Sequence, residues 1–528
     1  MAVAGASGAG KSTLCRTING LIPKFVRGDL RGRVRILGEE IGEKRVADVA
    51  RHVGLVFQDF EAQLFCTNVT LEVAFGPENL GLPRGEIEQR LREALELVDL
   101  KGFERRDPAT LSGGQKQRLA IASILTMAPD ILILDEPTTD LDPMGKQDLF
   151  RLFERLRARG GTVLMVEHET EGMVLSDRLV VMDEGKIVSE GEAGEILRRT
   201  ALLEGYGVRP LEAVALFEKI GMEDRPLRWE EAYETLQRGG RSLDEGKRIA
   251  IAQRDRARTD RIGEPVVVVE DLDYVYEEGT RALLGVSLRI RRGEMIAIVG
   301  QNGCGKTTLV KHFNRLLLPT SGRVRVFGRD TREWRISELG RKVGYVFQNP
   351  DHQIFADTVG EEVAFGPRNF GFADEEVAVR VREALHAVDL TGREADDPFS
   401  MTKGERQRIA VAAVLAVRPE VIVLDEPTTG LDYRQQRSML DLVRRLNEQG
   451  MTVVMVTHAM WVVAQYARRC IVMQEGTILF DGTVRTGFAQ EELLAQAHLE
   501  PPDSVRIGNR LGWTTLSPDE LAFVLDDA

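Results

Sequence analysis

The sequence predicts an α/β protein built twice in tandem, each half a mostly parallel sheet flanked by helices. Three observations predict it. The chain of 528 residues repeats itself from one half to the other. Short runs such as "ILILD" (131–135) and "VIVLD" (421–425) are rich in branched aliphatics and apolar throughout, as strands buried on both faces of a parallel sheet require. Between such runs lie helical patterns: Ile87, Leu91, Ala94, Leu95 and Val98 form one apolar face, and Val377, Val381, Ala384, Leu385 and Val388 repeat it.

The repeat runs the length of the chain, which is too long for one ordinary core. Lys11 matches Lys306. Gln58, Asp135 and His168 match Gln348, Asp425 and His458 at one common, slightly smaller offset, so the first copy carries a short insertion between its Lys and its Gln. Each copy ends in a small appendix: "GVRPLEAVALFEKIG" (207–221) echoes "HLEPPDSVRIGNRLG" (498–512). The expected domains are 1–236, a polar and charge-dense linker at 237–263 carrying an exposed helix, and 264–528.

Composition narrows the class. The chain is 43% hydrophobic and 29% charged, as soluble globular proteins are, and its net charge of −13 argues against nucleic acid as the main partner. The four cysteines are scattered and form no zinc or iron–sulfur framework. No apolar run approaches the ~18 residues that cross a bilayer, so work at a membrane would require a partner to supply the spans.

The chemistry lies in a set of motifs present twice. "GASGAGKS" (5–12) and "GQNGCGKT" (300–307) fit G-x-x-x-x-G-K-[ST], each between a strand-like run and a helical pattern. Gly5, Gly8 and Gly10, like Gly300, Gly303 and Gly305, let the backbone curl so that its N–H groups face phosphates. Asn302, Cys304, Thr13 and Thr308 belong to the same loops. Lys11 and Lys306 reach the β- and γ-phosphates, and Ser12 and Thr307 offer hydroxyls to Mg²⁺. Asp135 and Asp425 close buried strands, where a carboxylate can hold Mg²⁺. Glu136 and Glu426 follow at once and can polarise an attacking water. His168 and His458 end the next strand, in register, near the γ-phosphate position. Gln58 and Gln348, after "GLVF" and "GYVF", offer a further Mg²⁺ ligand or sensor. Cys304, beside Lys306, is either a reactive thiol shielded by nucleotide or a buried filler at a serine position.

A third pair of motifs differs between the copies. "LSGGQKQR" (111–118) places Ser112, Gly113, Gly114 and Gln115 at a helix start suited to a γ-phosphate. The second copy reads "FSMTKGERQR" (399–408), with Thr402, Lys403, Gly404 and Glu405 in those places. A lysine there adds bulk where backbone should approach phosphate.

The order of phosphate loop, "VFQ", "LSGGQ", "LDEPTT", "LD" and histidine resembles the ATP-binding cassette family of transporter ATPases. The resemblance covers nearly the whole chain twice. It implies a RecA-like, mostly parallel sheet with a helical subdomain in each copy, with ATP and Mg²⁺ as cofactors. It also implies head-to-tail pairing of the two cassettes within the chain, each ATP lying between one copy's phosphate loop and the other's signature. The altered signature then serves the Lys11 site. The segments 56–81 and 346–371 are similar to the Gln-loop region of energy-coupling factor importers. Such importers pair two ATPases with a transmembrane T component and a substrate-binding S component, and take up vitamins, their precursors or transition-metal ions. The implied location is peripheral, on the cytoplasmic face of the cell membrane, with no nucleic-acid partner. The alternatives are a soluble twin-cassette ATPase acting in translation and the fused ATPase of another importer type. "DEPTTDLD" and "DEPTTGLD", with a mixed-charge linker, depart from the translation class, and zinc cysteines of a DNA-repair ATPase are absent.

One departure concerns the start. In the second copy 266–294 precedes the phosphate loop and includes Tyr276, which resembles the family's adenine-stacking aromatic. The first copy has no counterpart, because Met1 falls inside the strand leading to Gly5. A sheet short of its leading strands exposes edges, which favours truncation of the chain as given.

Overall fold

The six-stranded sheet at the centre of each half has the same strand order twice over in the computed structural model, which describes residues 1–139, 141–259 and 262–526. In the first half the order is Val53–Val56, Ile131–Asp135, Thr162–Val166, Ala2–Gly5, Arg178–Asp183 and Lys186–Glu192. In the second it is Val343–Val346, Val421–Asp425, Thr452–Val456, Met295–Val299, Arg469–Gln474 and Thr477–Thr483. All neighbours pair in parallel except the last two strands of each sheet. The central strands Ala2–Gly5 and Met295–Val299 are buried along their whole length, which is why their sequences are apolar without alternation.

This order places function at one end of the sheet. Ala2–Gly5 runs into the loop before helix Lys11–Ile18, and Met295–Val299 into the loop before Lys306–Lys311. The flanking strands end at Asp135 and Val166, or Asp425 and Val456, so their following residues converge on the same carboxyl edge.

A helical layer stands beside each sheet. Val69–Asn79, Arg84–Leu97 and Gly113–Leu125 form it in the first half, and Val359–Asn369, Asp374–Ala387 and Lys403–Leu415 in the second. The apolar face expected from spacing is the one buried: Leu91, Ala94, Leu95 and Val98 enter the core with Ile87 partly covered, and all five residues of the second copy's face are buried. Side chains that accept from helix N–H groups fix the starts, Asn68 and Thr358 at the first helix and Ser112 and Thr402 at the third.

The halves differ in a second, antiparallel sheet, of which, among the described residues, only the second half has the two strands that precede the phosphate loop, Pro265–Val275 and Arg281–Arg291. The second has a four-stranded antiparallel sheet, in the order Arg281–Arg291, Pro265–Val275, Ser321–Val326 and Arg329–Asp330; the corresponding part of the first is the short pair Arg35–Ile36 and Glu39–Glu40.

By internal contacts the chain divides into two compact units, Met1–Leu211 and Glu212–Ala528. Residues 212–236 group with the second unit because the two appendices share one core. Phe217 and Leu236 pack with Ile507, Leu521 and Val524, and Ile251 of helix Glu245–Thr259 joins them. That helix, expected as an exposed linker helix, therefore buries Ile251 while its other described residues are exposed or half-buried; part of the expected linker, Asp260 and Arg261, lies outside the described residues. Helices of eight or ten residues are marginal alone, so pooling two such appendices gives them a common apolar interior. Glu212, buried among them, accepts from the Ser504 backbone N–H at 3.0 Å and its hydroxyl at 2.8 Å. Among the described residues no helix is long and apolar enough to cross a membrane.

Candidate functional site

Both phosphate loops need their first glycine. Gly5 and Gly300 have φ of +143° and +152°, and a Cβ on either would run into the carbonyl of Met182 or Met473 on the neighbouring strand. Gly10 and Gly305 cap the following helices in the left-handed conformation. The loop lysines are buried. Lys11 Nζ donates to the carbonyls of Gly5 (3.0 Å) and Ala6 (2.9 Å), and Lys306 Nζ to those of Gly300 and Gln301 (2.8 Å each). Each ammonium thus lies inside its own loop, where backbone N–H groups and a helix N-terminus also face. Cys304 is buried in this loop and its Sγ packs against Gly300, so the structure favours the filler over the reactive thiol.

The next residues face the strand carboxylates. Ser12 Oγ donates to Asp135 Oδ1 and Thr307 Oγ1 to Asp425 Oδ1, both at 3.1 Å. Burial pushes both carboxyls above the usual range; the hydroxyls oppose the shift. Asp425 accepts a second bond that Asp135 lacks among the described residues: Tyr345 O–H donates to its Oδ2 at 2.6 Å. The first copy has Leu55 at that point, in "GLVF" against "GYVF". That one-letter difference was the only sequence signal for Tyr345.

Glu136 and Glu426 both adopt positive φ, +51° and +49°. Left-handed backbone at a non-glycine residue stores strain on the order of 1–3 kcal/mol. His168 Nε2 lies 2.8 Å from Glu136 Oε1, and His458 Nδ1 lies 2.9 Å from Glu426 Oε1. The other oxygens differ. Gln58 Nε2 donates to Glu136 Oε2 at 2.6 Å, whereas Glu426 Oε2 is buried with no hydrogen-bond partner among the described residues. Gln348 occupies the corresponding place after strand Val343–Val346. The structure therefore gathers loop, hydroxyl, aspartate, glutamate and histidine at one sheet edge in each unit. Tyr276 lies beside the second of these clusters, its hydroxyl 2.9 Å from Thr308 Oγ1.

The signature residues lie at helix starts in the helical layer. Ser112 caps Gly113–Leu125 in a reciprocal box with Gln115, and Thr402 caps Lys403–Leu415 in the same box with Glu405. The altered signature has partners of its own. The Glu405 carboxylate accepts from the Thr402 backbone and hydroxyl (2.9 and 2.8 Å) and from Arg393 (3.2 Å). Burial alone would raise Glu405; these donors bring it below the usual carboxylate range. Lys403 lies over Gly430, at the place where a Cβ on that glycine would be. In the sequence of the first copy those two places hold Gly113 and Asp140, the latter outside the described residues.

A buried acid also escaped the sequence reading. Glu167, beside His168, accepts from the Thr138 backbone (3.2 Å) and hydroxyl (2.7 Å), and Thr457 stands in its place in the second copy.

Comparison with known proteins follows the same lines. The family model described as ABC transporter matches residues 1–139 and 283–429. A protein of Caldanaerobacter subterraneus subsp. tengcongensis that carries the name of an ABC transporter ATP-binding protein is 52% identical over 523 residues, 98% of this chain and 92% of its own. A similarly named protein of Methanosarcina acetivorans is 40% identical, over 96% of this chain and 84% of its own. Among solved structures, cbiO1 from Clostridium perfringens, described as part of the ABC transporter complex cbiONQ, is 34% identical over 44% of this chain and 95% of its own, with a TM-score of 0.41.

Proposed function

The chain belongs to the ABC transporter ATP-binding proteins, with two tandem cassettes and ATP hydrolysis as its activity, and on that premise we propose that it energises a membrane importer of the energy-coupling factor type. Its substrate is then a vitamin, a vitamin precursor or a transition-metal ion, chosen by an S component, and a T component supplies the membrane spans. The chain sits peripherally on the cytoplasmic face of the membrane.

One observation carries the importer reading. The segments that follow Gln58 and Gln348 each expose an edge-to-face phenylalanine pair. Phe65 and Phe75 stand 4.7 Å apart between ring centres, 63% and 47% exposed; Phe355 and Phe365 repeat this at 4.7 Å, 58% and 47% exposed. Two equivalent apolar pairs on the surface, in register with the duplication, suit two helices of a membrane partner laid in grooves.

In the proposed cycle the cassettes pair head to tail, each ATP held by one copy's loop and the other's signature. Lys11 and Lys306 and the loop N–H groups take the phosphates; Glu136 and Glu426, oriented by His168 and His458, polarise the attacking water. Tyr276 stacks on adenine. Part-buried, oxygen-only donor sets, Ser12 with Asp135 and Thr307 with Asp425, fit a hard cation, and Mg²⁺ bound there with Gln58 or Gln348 nearby would neutralise charge on the β- and γ-phosphates.

Co-expression tests the reading. With its T component the chain should sediment with membranes and resist mild salt, because the contact is apolar; Phe65→Asp with Phe355→Asp should release it while leaving the soluble chain's nucleotide binding intact. Release by mild salt alone would count against the proposal.

A further inference from the structure

Tyr345 is buried under the second nucleotide site, with 7% of its surface exposed. Its position lies on strand Val343–Val346, which pairs in parallel register with Val421–Asp425, Tyr345 opposite Val423. From there the side chain reaches along the sheet edge to Asp425, also buried. The ring is wedged edge-on against Phe347 at 4.9 Å, so the phenol has little freedom to turn away. Asp425 is thus gripped at both oxygens: Oδ1 by Thr307 and Oδ2 by Tyr345.

We infer that Tyr345 is a positioning residue of the second site: its hydroxyl holds the Asp425 carboxylate in the orientation that presents Oδ1, with Thr307 Oγ1, to the divalent cation of ATP. A carboxylate with one oxygen tied and the other loose can rotate about its Cβ–Cγ bond; one tied at both is pre-oriented. Groups that hydrogen-bond to a metal ligand commonly change metal affinity by about 10–100-fold when removed. The first copy cannot do this, since Leu55 offers no donor, and among the described hydrogen bonds Asp135 has only the one from Ser12. The two sites therefore differ in how tightly they recruit the ion, independently of their signatures. The inference rests on the reading of Asp425 as an ion-holding carboxylate.

The test uses the full-length chain with Lys11→Ala, so that a fluorescent ATP analogue reports the second site. Affinity is measured with EDTA and across a Mg²⁺ titration, and repeated with Mn²⁺ followed by electron paramagnetic resonance. Tyr345→Phe keeps the ring and its packing. It should leave metal-free nucleotide affinity unchanged and weaken the ion-dependent gain by about 10-fold or more. In steady state it should raise the Mg²⁺ concentration for half-maximal activity far more than it lowers the rate at saturating Mg²⁺. Tyr345→Leu, the first copy's residue, should behave alike, and Leu55→Phe should not. An unchanged ion dependence in Tyr345→Phe, or an equal loss with and without metal, overturns the inference. Asp425→Asn separates the two layers: if it too leaves the ion dependence intact, the carboxylate reading itself falls.

Discussion

Among the described residues, Asp425 accepts hydrogen bonds from Thr307 and Tyr345, whereas Asp135 accepts one, from Ser12. Glu136 has its two oxygens occupied by His168 and Gln58, whereas Glu426 keeps Oε2 buried without a partner among them. The signatures differ in the opposite sense: Ser112-Gly113-Gly114-Gln115 follows the family pattern and Thr402-Lys403-Gly404-Glu405 departs from it. Here the departures come with partners: Glu405 has Arg393, where the first copy has Gln115 and Phe103, and Lys403 has Gly430, where it has Gly113 and Asp140. Partners at both altered positions support the proposal that the second signature is specialised and not decayed.

The proposed head-to-tail pairing would send the altered signature to the Lys11 site, and the conventional one to the site of Lys306, Tyr345 and Glu426. The largest expected effect tests this division. Loss of a well-placed acid–base group typically costs ~10²–10⁴ in rate. Glu426→Gln should nearly abolish steady-state ATP hydrolysis in the assembled transporter, and Glu136→Gln should leave a substantial fraction. Equal losses, or a larger one for Glu136→Gln, would break the comparison.

The second test concerns pH and belongs to the first copy alone. Burial pushes the Glu167 carboxyl up to about 8; neighbouring Glu169 adds to this, Thr138 and Lys146 oppose it, and Glu136 adds again. The unfolded chain loses that proton near pH 4.5, so between 4.5 and 8 the folded state binds the extra proton. Stability therefore falls as pH rises through this window, by at most about 1.4 kcal/mol per unit. Glu167→Gln removes the titration. Its urea midpoint should exceed that of the parent, and the gap should widen by about 2 kcal/mol from pH 6 to pH 8. Thr457→Val, at the matching place in the second copy, should show no such widening. A constant gap would remove Glu167 from the list of differences between the copies.

Much of this was legible in the sequence, and the reason is locality. The phosphate loops, the strand-ending aspartates and the signature caps are each made by residues adjacent in the chain, so spacing alone reports them. The sheet's parallel order followed from uninterrupted apolar strands, and the helical faces from their period. What stayed hidden is made between segments. Tyr345 meets Asp425 across neighbouring strands, and its letter reads as one more apolar residue of a core strand. Glu167 reads as an ordinary acid after a strand until burial is known. The appendices were visible as two segments that echo each other, but a shared interior around Phe217 and Ile507 is a fact of packing that neither segment states alone.

The smallest effect probes the pair that defines the altered signature. Gly430 has φ of +71°, so any side chain there is strained, and its Cβ would in addition overlap the Lys403 ammonium. The two costs separate in a double-mutant cycle. Gly430→Ala should destabilise the chain by about 1 kcal/mol or more from backbone strain. The overlap adds a smaller share, because the lysine's far end can move, and its displacement should also lower turnover at the Lys11 site. Lys403→Gly removes the overlap but not the strain, so the double variant should recover only that smaller share, a coupling of about 0.5 kcal/mol. Lys403→Gly by itself recreates the first copy's helix start, where a Cβ meets nothing within 4 Å at Gly113, so it should fold normally. If the two substitutions add without coupling in both unfolding and turnover, Lys403 is an incidental surface charge and the second signature is not a matched set.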